Sequence, residues 1–279
     1  MDELPSRGKS YPKGSYIKGR FLNLRDVKFI GLINKNNATT IVNEIIERCF
    51  YFHGIKFEDL LLEDRKYLSL WLRANSFINN SGYKLEIKKC SGCSRSFSKE
   101  IRLENLKINY LDGDIEEEVT LPDSGETFIV SYPKIDKLGV RYEDSEIEEV
   151  IRSVCVDSPL EFVLGLSAYD YVYLLEIIKE RNIGLDFYLN LECPHCGESQ
   201  IVKMVIDDDS LFGQINIRDI ISLILNISKY TSYRISEDTS WGEIEIMQDV
   251  VNQMIKTEEE EMQKQELKAK SKMSSMRLK

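Results

Sequence analysis

Hydrophobic and polar positions change period several times along this chain of 279 residues. From about Asn37, the residues Ala38, Ile41, Val42, Ile45, Ile46 and Cys49 recur at three and four. That spacing gathers apolar groups on one face of a helix. A second helix is predicted to start at Asp64, read as its N-cap, with Tyr67, Leu68, Trp71 and Leu72 as the buried stripe. The period then shortens to two. Tyr83, Leu85 and Ile87 alternate with Lys84, Glu86 and Lys88, a half-buried strand that runs into Cys90. Phe97 to Leu103 reads as the return strand after Cys93. Residues 1–30 are locally basic and punctuated by Pro5, Gly8, Pro12, Gly14 and Gly19, so they read as an arm of loop and short extended pieces rather than helix.

The second half repeats this order. Ile147, Val150, Ile151 and Val154 mark a helix ending near Cys155, and Ser167 caps one carrying Tyr171, Leu174, Leu175 and Ile178. Phe187, Leu189 and Leu191 alternate up to Cys193, and Ile201 to Ile206 returns after Cys196. The same 26 residues separate Asp64 from Cys90 and Ser167 from Cys193. Leu4-Pro5-x-x-Gly8 opens one half, and Leu121-Pro122-x-x-Gly125 the other. Such coincidences point to an internal duplication. The expected fold is therefore α+β: two repeated helix–helix–β-hairpin units joined by a zinc-ribbon-like four-cysteine site, plus a C-terminal helical region. The first repeat takes residues 1–118, the second 119–210, and the helical region 211–279. Within the last, Ile217, Ile220, Ile221, Ile224, Leu225 and Ile227 make one apolar helix, and Ile244, Met247, Val251 and Met254 form a stripe on another. Residues 258–279 read as a solvated helix extension or a disordered tail.

Composition narrows the class. Hydrophobic residues make up 42% and charged residues 30%, the balance of a soluble chain with a core. No apolar run approaches the roughly 18 residues of a membrane span, and the opening residues lack an apolar signal segment, so a cytosolic-type product without membrane contact is expected. The net charge of −10 weighs against general nucleic-acid binding, which needs basic surface to displace counterions.

Four of the six cysteines form Cys90-Ser-Gly-Cys93 and Cys193-Pro-His-Cys196. Two intervening residues let both sulfurs of a pair face one tetrahedral ion, and each pair falls at the tip of a predicted hairpin. The interval of about 100 residues between pairs exceeds that of a compact ribbon. Duplication removes the difficulty: two copies facing across a pseudo-two-fold bring their tips to one metal. Cys90, Cys93, Cys193 and Cys196 are thus the candidate ligands of one structural zinc per chain, with no open position for catalysis. A thiol–disulfide role for the Cys-Pro-His-Cys sequence needs the first cysteine at a helix N-terminus, whereas Gly197 to Val205 reads as turn and strand. Cys49 and Cys155 are expected as buried structural thiols, His53 as a packed or capping residue at a helix end, and His195 as solvent-facing. No phosphate-binding loop, nucleophile elbow or zinc-protease motif occurs, and the carboxylates of 116–118 and 258–261 are contiguous charge runs.

Leu4-Pro5-Ser6-Arg7-Gly8-Lys9-Ser10-Tyr11-Pro12 resembles the opening motif of the T-even-type bacteriophage baseplate (hub) protein family. Glu44-Ile-Ile-Glu-Arg-Cys49, Phe57-Glu-Asp-Leu-Leu-Leu-Glu-Asp-Arg65 and Cys193-Pro-His-Cys196-Gly197-Glu198 are similar to that family as well, a likeness spread over residues 4–206. The resemblance implies a non-enzymatic structural or assembly protein of a contractile-tailed phage, placed in the tail baseplate or in the host cytoplasm during assembly. Its partners would be other baseplate and tail proteins in an oligomeric assembly. Ile244, Met247, Val251 and Met254 are the candidate partner-binding stripe. A zinc-ribbon nucleic-acid-binding module is the alternative reading, and an enzyme acting through the Cys-Pro-His-Cys thiols a third.

Overall fold

The computed structural model describes residues 3–78, 82–102, 105–136, 145–204, 207–212 and 215–276. In chain order the elements are β1 (Tyr16–Gly19), α1 (Leu24–Ile30), α2 (Ala38–Cys49), β2 (Phe50–His53), a 3-10 turn (Phe57–Asp59), α3 (Leu62–Ser76), β3 (Gly82–Ile87), β4 (Phe97–Arg102), β5 (Ile108–Asn109), β6 (Glu116–Thr120) and β7 (Thr127–Ser131). They continue with α4 (Ser145–Ser153), α5 (Pro159–Gly165), α6 (Ala168–Glu180), β8 (Gly184–Leu185), β9 (Tyr188–Glu192), β10 (Ser199–Lys203), α7 (Asp208–Phe212), α8 (Ile217–Tyr230) and α9 (Trp241–Met276). The fold is mixed α and β. Among the described residues the strands pair two by two and antiparallel: β1 with β2, β3 with β4, β5 with β8, β6 with β7, and β9 with β10. The expected strand ends at Leu103 and Ile206 lie outside the described residues.

Two compact units divide the chain, and neither is contiguous. The first comprises Met1–Arg20, Asn43–Ala74 and Gly82–Asp207. In it β1 lies so close to β2 that a Cβ on Gly19 would sit 2.5 Å from the Phe50 ring, and Phe50 meets the edge of Trp71 at 5.6 Å between centroids. His53, expected at a helix end, is the last residue of β2 and stacks on Tyr16 at 4.7 Å. The aromatic run Phe50-Tyr-Phe follows α2 without a breaker, so periodicity alone carries the helix too far. One apolar cluster of this unit joins β6, β7, α4, α5 and α6 through Val119, Phe128, Val130, Val150, Ile151, Val163 and Leu174.

Two buried aspartates each fix a distant turn. Asp64 stands in the first turn of α3, two residues after its start at Leu62, so it is not the N-cap. The Ser6 amide and hydroxyl donate to it at 2.9 and 2.5 Å, and the Tyr11 hydroxyl at 2.5 Å. Tyr11 in turn accepts from the Leu61 amide at 3.1 Å. Asp170 occupies the same position in α6, whose N-cap is Ser167 as expected. It accepts from the amides of Asp123 at 2.8 Å and Ser124 at 3.1 Å. Arg7 and Gly8 adopt positive φ in the first turn, and Gly125 in the second. Burial raises the Asp64 carboxyl above its ordinary range despite the hydrogen bonds from Ser6 and Tyr11. Burial pushes Asp170 the same way, but the amides of Asp123 and Ser124 and the hydroxyls of Ser124 and Ser167 outweigh it and hold the carboxyl low.

The second unit comprises Phe21–Val42, Asn75–Ser81 and Asp208–Lys279. α1 is a helix where the basic arm is expected to be loop and extended chain. An Asn23–Asp26 capping box starts it, each side chain accepting from the other residue's amide, at 3.0 and 3.1 Å. Leu24, Val27 and Ile30 then give it a buried face. Glu245 is buried and accepts from the Trp241 indole at 3.0 Å and from the Ile78 amide, while Phe77 packs on the Trp241 ring at 6.1 Å. The Trp241 amide donates to the Leu22 carbonyl at 2.9 Å. α8 begins at an Asn216 cap and packs on α9, with Ile220, Ile227, Ile244 and Val251 buried. α9 continues to Met276, 36 residues in all.

Asp64→Ala strips the acceptor from one amide and two hydroxyls at once and should cost about 3 kcal/mol at pH 7, read as a fall in the urea midpoint. For Asp170 the sign is set by its lowered pKa: the carboxylate stabilises the fold above the ordinary aspartate range, and that contribution is lost as pH falls through it. Asp170→Asn should therefore be less stable than the parent at pH 6, with the gap closing below about pH 4 in the same measurement.

Candidate metal centre

The hairpins β3–β4 and β9–β10 each end in a tight turn carrying one cysteine pair. Their registers are regular, from Gly82↔Arg102 to Ile87↔Phe97 in the first and from Tyr188↔Lys203 to Glu192↔Ser199 in the second. The two turns are closed by the same bonds. The Cys90 amide donates to the Arg95 carbonyl at 2.9 Å and the Ser94 amide to the Cys90 carbonyl at 3.0 Å. The Cys193 amide donates to the Glu198 carbonyl at 2.8 Å and the Gly197 amide to the Cys193 carbonyl at 2.9 Å. The residue after the second cysteine takes positive φ in both turns, +74° at Gly197 and +60° at Ser94. Glycine meets this demand at Gly197; at Ser94 a side chain accepts the strain.

All four sequence-predicted ligands converge. The sulfurs of Cys90, Cys93, Cys193 and Cys196 lie within 4.8 Å of one another. Cys90 and Cys196 are 3.7 Å apart, and Cys93 and Cys193 3.8 Å. These are free thiols, far beyond disulfide distance. Four sulfurs at about 2.3 Å from a tetrahedral zinc stand roughly 3.8 Å from each other, so the cluster has the dimensions of a closed four-sulfur site. Cys90 and Cys193 are buried, Cys93 is half-buried and Cys196 exposed. The Cys93 amide draws the Cys90 thiol down to about 7, with the Gly92 amide adding to the effect against burial. At Cys196 the Glu198 amide works in the same direction but loses to burial and to the three other sulfurs, and the thiol is pushed up to about 12. Four neighbouring sulfurs cannot all ionise on their own; a cation in their midst removes that conflict.

Three residues support the cluster besides the cysteines. Gly92 is the point of closest approach: a Cβ there would lie 3.0 Å from Glu198 Cβ and 3.3 Å from Cys196 Sγ. Gln200 Oε1 accepts from the Ser91 amide at 2.8 Å and its hydroxyl at 3.1 Å, tying the first turn to β10. The Gly inside Cys-Ser-Gly-Cys was the available clue for the first contact; the others depend on which two turns meet. His195 is exposed, as expected. Cys49 is buried, but Cys155 is exposed, because it follows the end of α4 rather than continuing its inner face.

The expected partner stripe divides between two environments. Ile244 is 0% exposed and Val251 2%, so these two belong to the core of their unit, whereas Met247 is half-buried and Met254 is 40% exposed. α9 instead presents Ile246, Val250 and Met254 to solvent, four residues apart each time. No helix among the described residues is long and apolar enough to cross a membrane.

A mixed α/β chain whose paired hairpins close on four thiols is built to be held together at that point rather than opened there. Residues 2–157, more than half of the chain, match the family model described as T4 bacteriophage base plate protein, and the chain belongs to that family. Neither the curated proteins nor the solved structures yield a match. The matched span includes both aspartate-held turns, as far as Asp123–Ser124, and the first cysteine pair; it ends before the second pair, short of the likeness expected to reach residue 206. Membership gives the protein a structural role in the phage baseplate, in association with other tail proteins, and a place in the virion tail.

Replacing Gly92 by Val should wedge the two turns apart and lower the thermal midpoint. All four thiols should then react faster with a disulfide reagent, while Gly113→Val, where an added Cβ meets nothing within 4 Å, changes neither readout.

Proposed function

We propose that this protein is a non-enzymatic structural or assembly component of the baseplate hub region, stapled by one structural zinc and presenting α9 to its neighbours. The observation that carries the reading is the convergence of four sulfurs within 4.8 Å in a chain of the baseplate family. Cys90, Cys93, Cys193 and Cys196 hold the ion, which crosslinks hairpins about 100 residues apart in sequence and leaves no coordination position for substrate. The surroundings suit that role. One cleft of the first unit, about 630 Å³, is lined by four cations that have carboxylate partners and by Lys203, whose ammonium lies over the Tyr188 ring at 5.8 Å. Lys66 pairs with Glu63, Arg152 with Glu148, Lys179 with Glu146 and Arg181 with Glu117, at 2.5 to 2.8 Å.

Internal duplication of a turn–strand–helix–helix–hairpin unit accounts for the geometry economically. A Leu-Pro-x-x-Gly turn bound to an aspartate in a helix's first turn occurs twice, and so does a knuckle closed by two matching backbone bonds. Counted from those aspartates, the intervals to Cys90 and Cys193 are 26 and 23 residues, so the equality read from Ser167 is not the register of the repeat. Docking on other baseplate proteins falls to the exposed Ile246, Val250 and Met254, not to Ile244 and Val251.

Elemental analysis of the purified chain should return one zinc per polypeptide. Cys90→Ser or Cys193→Ser should lose it together with much of the thermal stability, and a zinc-free, fully stable parent would overturn the staple. Ile246→Asp with Val250→Asp should leave the monomer folded by circular dichroism and absent from assembled tails by quantitative mass spectrometry, whereas Ile244→Asp should unfold the second unit.

A further inference from the structure

A further exposed apolar surface lies apart from the cysteine cluster and the outer row of α9. α5 and α6 are joined by only Leu166 and Ser167, and together they present a row of large apolar side chains to solvent. Leu160 and Leu164 are one turn apart on α5; Tyr169, Val172 and Tyr173 follow on the first turns of α6. Leu164 is 70% exposed and Tyr169 66%. The helix pair does not demand all of them: at the places of α3 that match Tyr169 and Val172, counted from Asp64, stand Glu63 and Lys66, which pair with each other at 2.6 Å, while Tyr173 matches Tyr67. A run of exposed leucine, valine and tyrosine of this kind marks a contact surface.

Its charge says what the contact is. Between Arg152 and Lys179 the chain holds no Lys or Arg, and the exposed Asp157, Glu161 and Glu176 give that stretch, which carries the apolar row, negative charge alone. The opposite pattern lies in the last eighteen residues of the same chain. There Lys264, Lys268, Lys270, Lys272, Arg277 and Lys279 face a single acid, Glu266, and are interspersed with Met262, Leu267, Met273, Met276 and Leu278. In a sequence of net charge −10, this segment is a cationic, apolar-bearing stretch, and the α9 backbone remains helical to Met276. We infer that the α5–α6 face receives the basic C-terminal segment of a second copy of this chain. Methionine and leucine cover the Leu164–Tyr169–Val172 row, and lysines meet the acidic rim. The protein is thereby self-associating, independently of its contacts with other baseplate components.

Sedimentation velocity on the purified full-length chain, over about a hundredfold range of concentration, tests this. The parent should show reversible mass-action association that weakens at least about tenfold when salt rises from about 50 to 500 mM. Leu164→Ser with Tyr169→Ser removes the apolar contact at exposed positions and should abolish association with the circular dichroism unchanged. Lys268→Glu, Lys270→Glu and Lys272→Glu together should abolish it too. Mixing that tail variant with Glu161→Lys plus Glu176→Lys should restore association that neither shows alone. A parent that stays monomeric throughout, association that survives both the face and the tail variants, or a face variant that abolishes it while the tail reversal does not, each overturns the proposal.

Discussion

Four sulfur atoms drawn into one small volume are the constraint on which the first unit depends. A two-stranded hairpin is marginal in water, and both hairpins here are little else. Leu85, Ile87 and Phe97 on the first and Leu191 on the second are buried, while Tyr188 and Ile201 on the second stay more than half exposed, so strand packing is thin there. The meeting of their tips adds to it. That meeting requires a residue without a side chain at Gly92, positive φ at Ser94 and Gly197, and a carboxamide from Gln200 reaching across to Ser91. Closing so long an interval costs chain entropy that grows only slowly with length, whereas a filled four-sulfur site contributes on the scale of a folding free energy. A bound ion would therefore favour the association of these remote hairpins.

The two aspartates show a second way of binding distant chain segments, through backbone rather than side chains. Asp64 and Asp170 occupy the same place in their helices and grip the same kind of turn, yet their carboxyls shift in opposite directions. The balance of burial against donors explains it. At Asp64 the loss of solvent outweighs the hydrogen bonds from Ser6 and Tyr11, all of which favour the charged form. At Asp170 the amides of Asp123 and Ser124, with the hydroxyls of Ser124 and Ser167, outweigh burial. The second turn therefore favours the anion more than the first does.

Where local pattern and burial coincide, the sequence was readable. The stripe Ile41, Val42, Ile45, Ile46 and Cys49 is buried along α2, and the alternation before each cysteine pair does become a strand. The paired cysteines named the site because thiols at that spacing have few other uses. Other features were hidden by competing signals. α1 sits in a segment whose glycines, prolines and lysines suggest loop, and only its Asn-x-x-Asp cap betrays it. β2 follows α2 with no intervening polar residue, so the boundary between periods vanishes. Asp64 mimics an N-cap in sequence because aspartate is common both at that position and within the first turn; the identity of its partner, a turn 58 residues away, decides between them.

α9 shows why periodicity alone cannot say which face of a helix looks outward. Two interleaved apolar rows run along its first half: Ile244 and Val251 on one side, Ile246 and Val250 on another, with Met254 at the exposed margin. Both satisfy helical spacing, and the first satisfies it better, which is why it reads as the more purposeful. Tertiary structure reverses the assignment. The better-formed stripe is used internally, beside the Glu245 carboxylate that accepts from Trp241 and Ile78, and the poorer one is left to solvent. A fold satisfies its own core first, because burying the stronger row contributes most to stability. The apolar residues that remain outside, on α9 as on α5 and α6, are then those that contribute least to the core of the monomer.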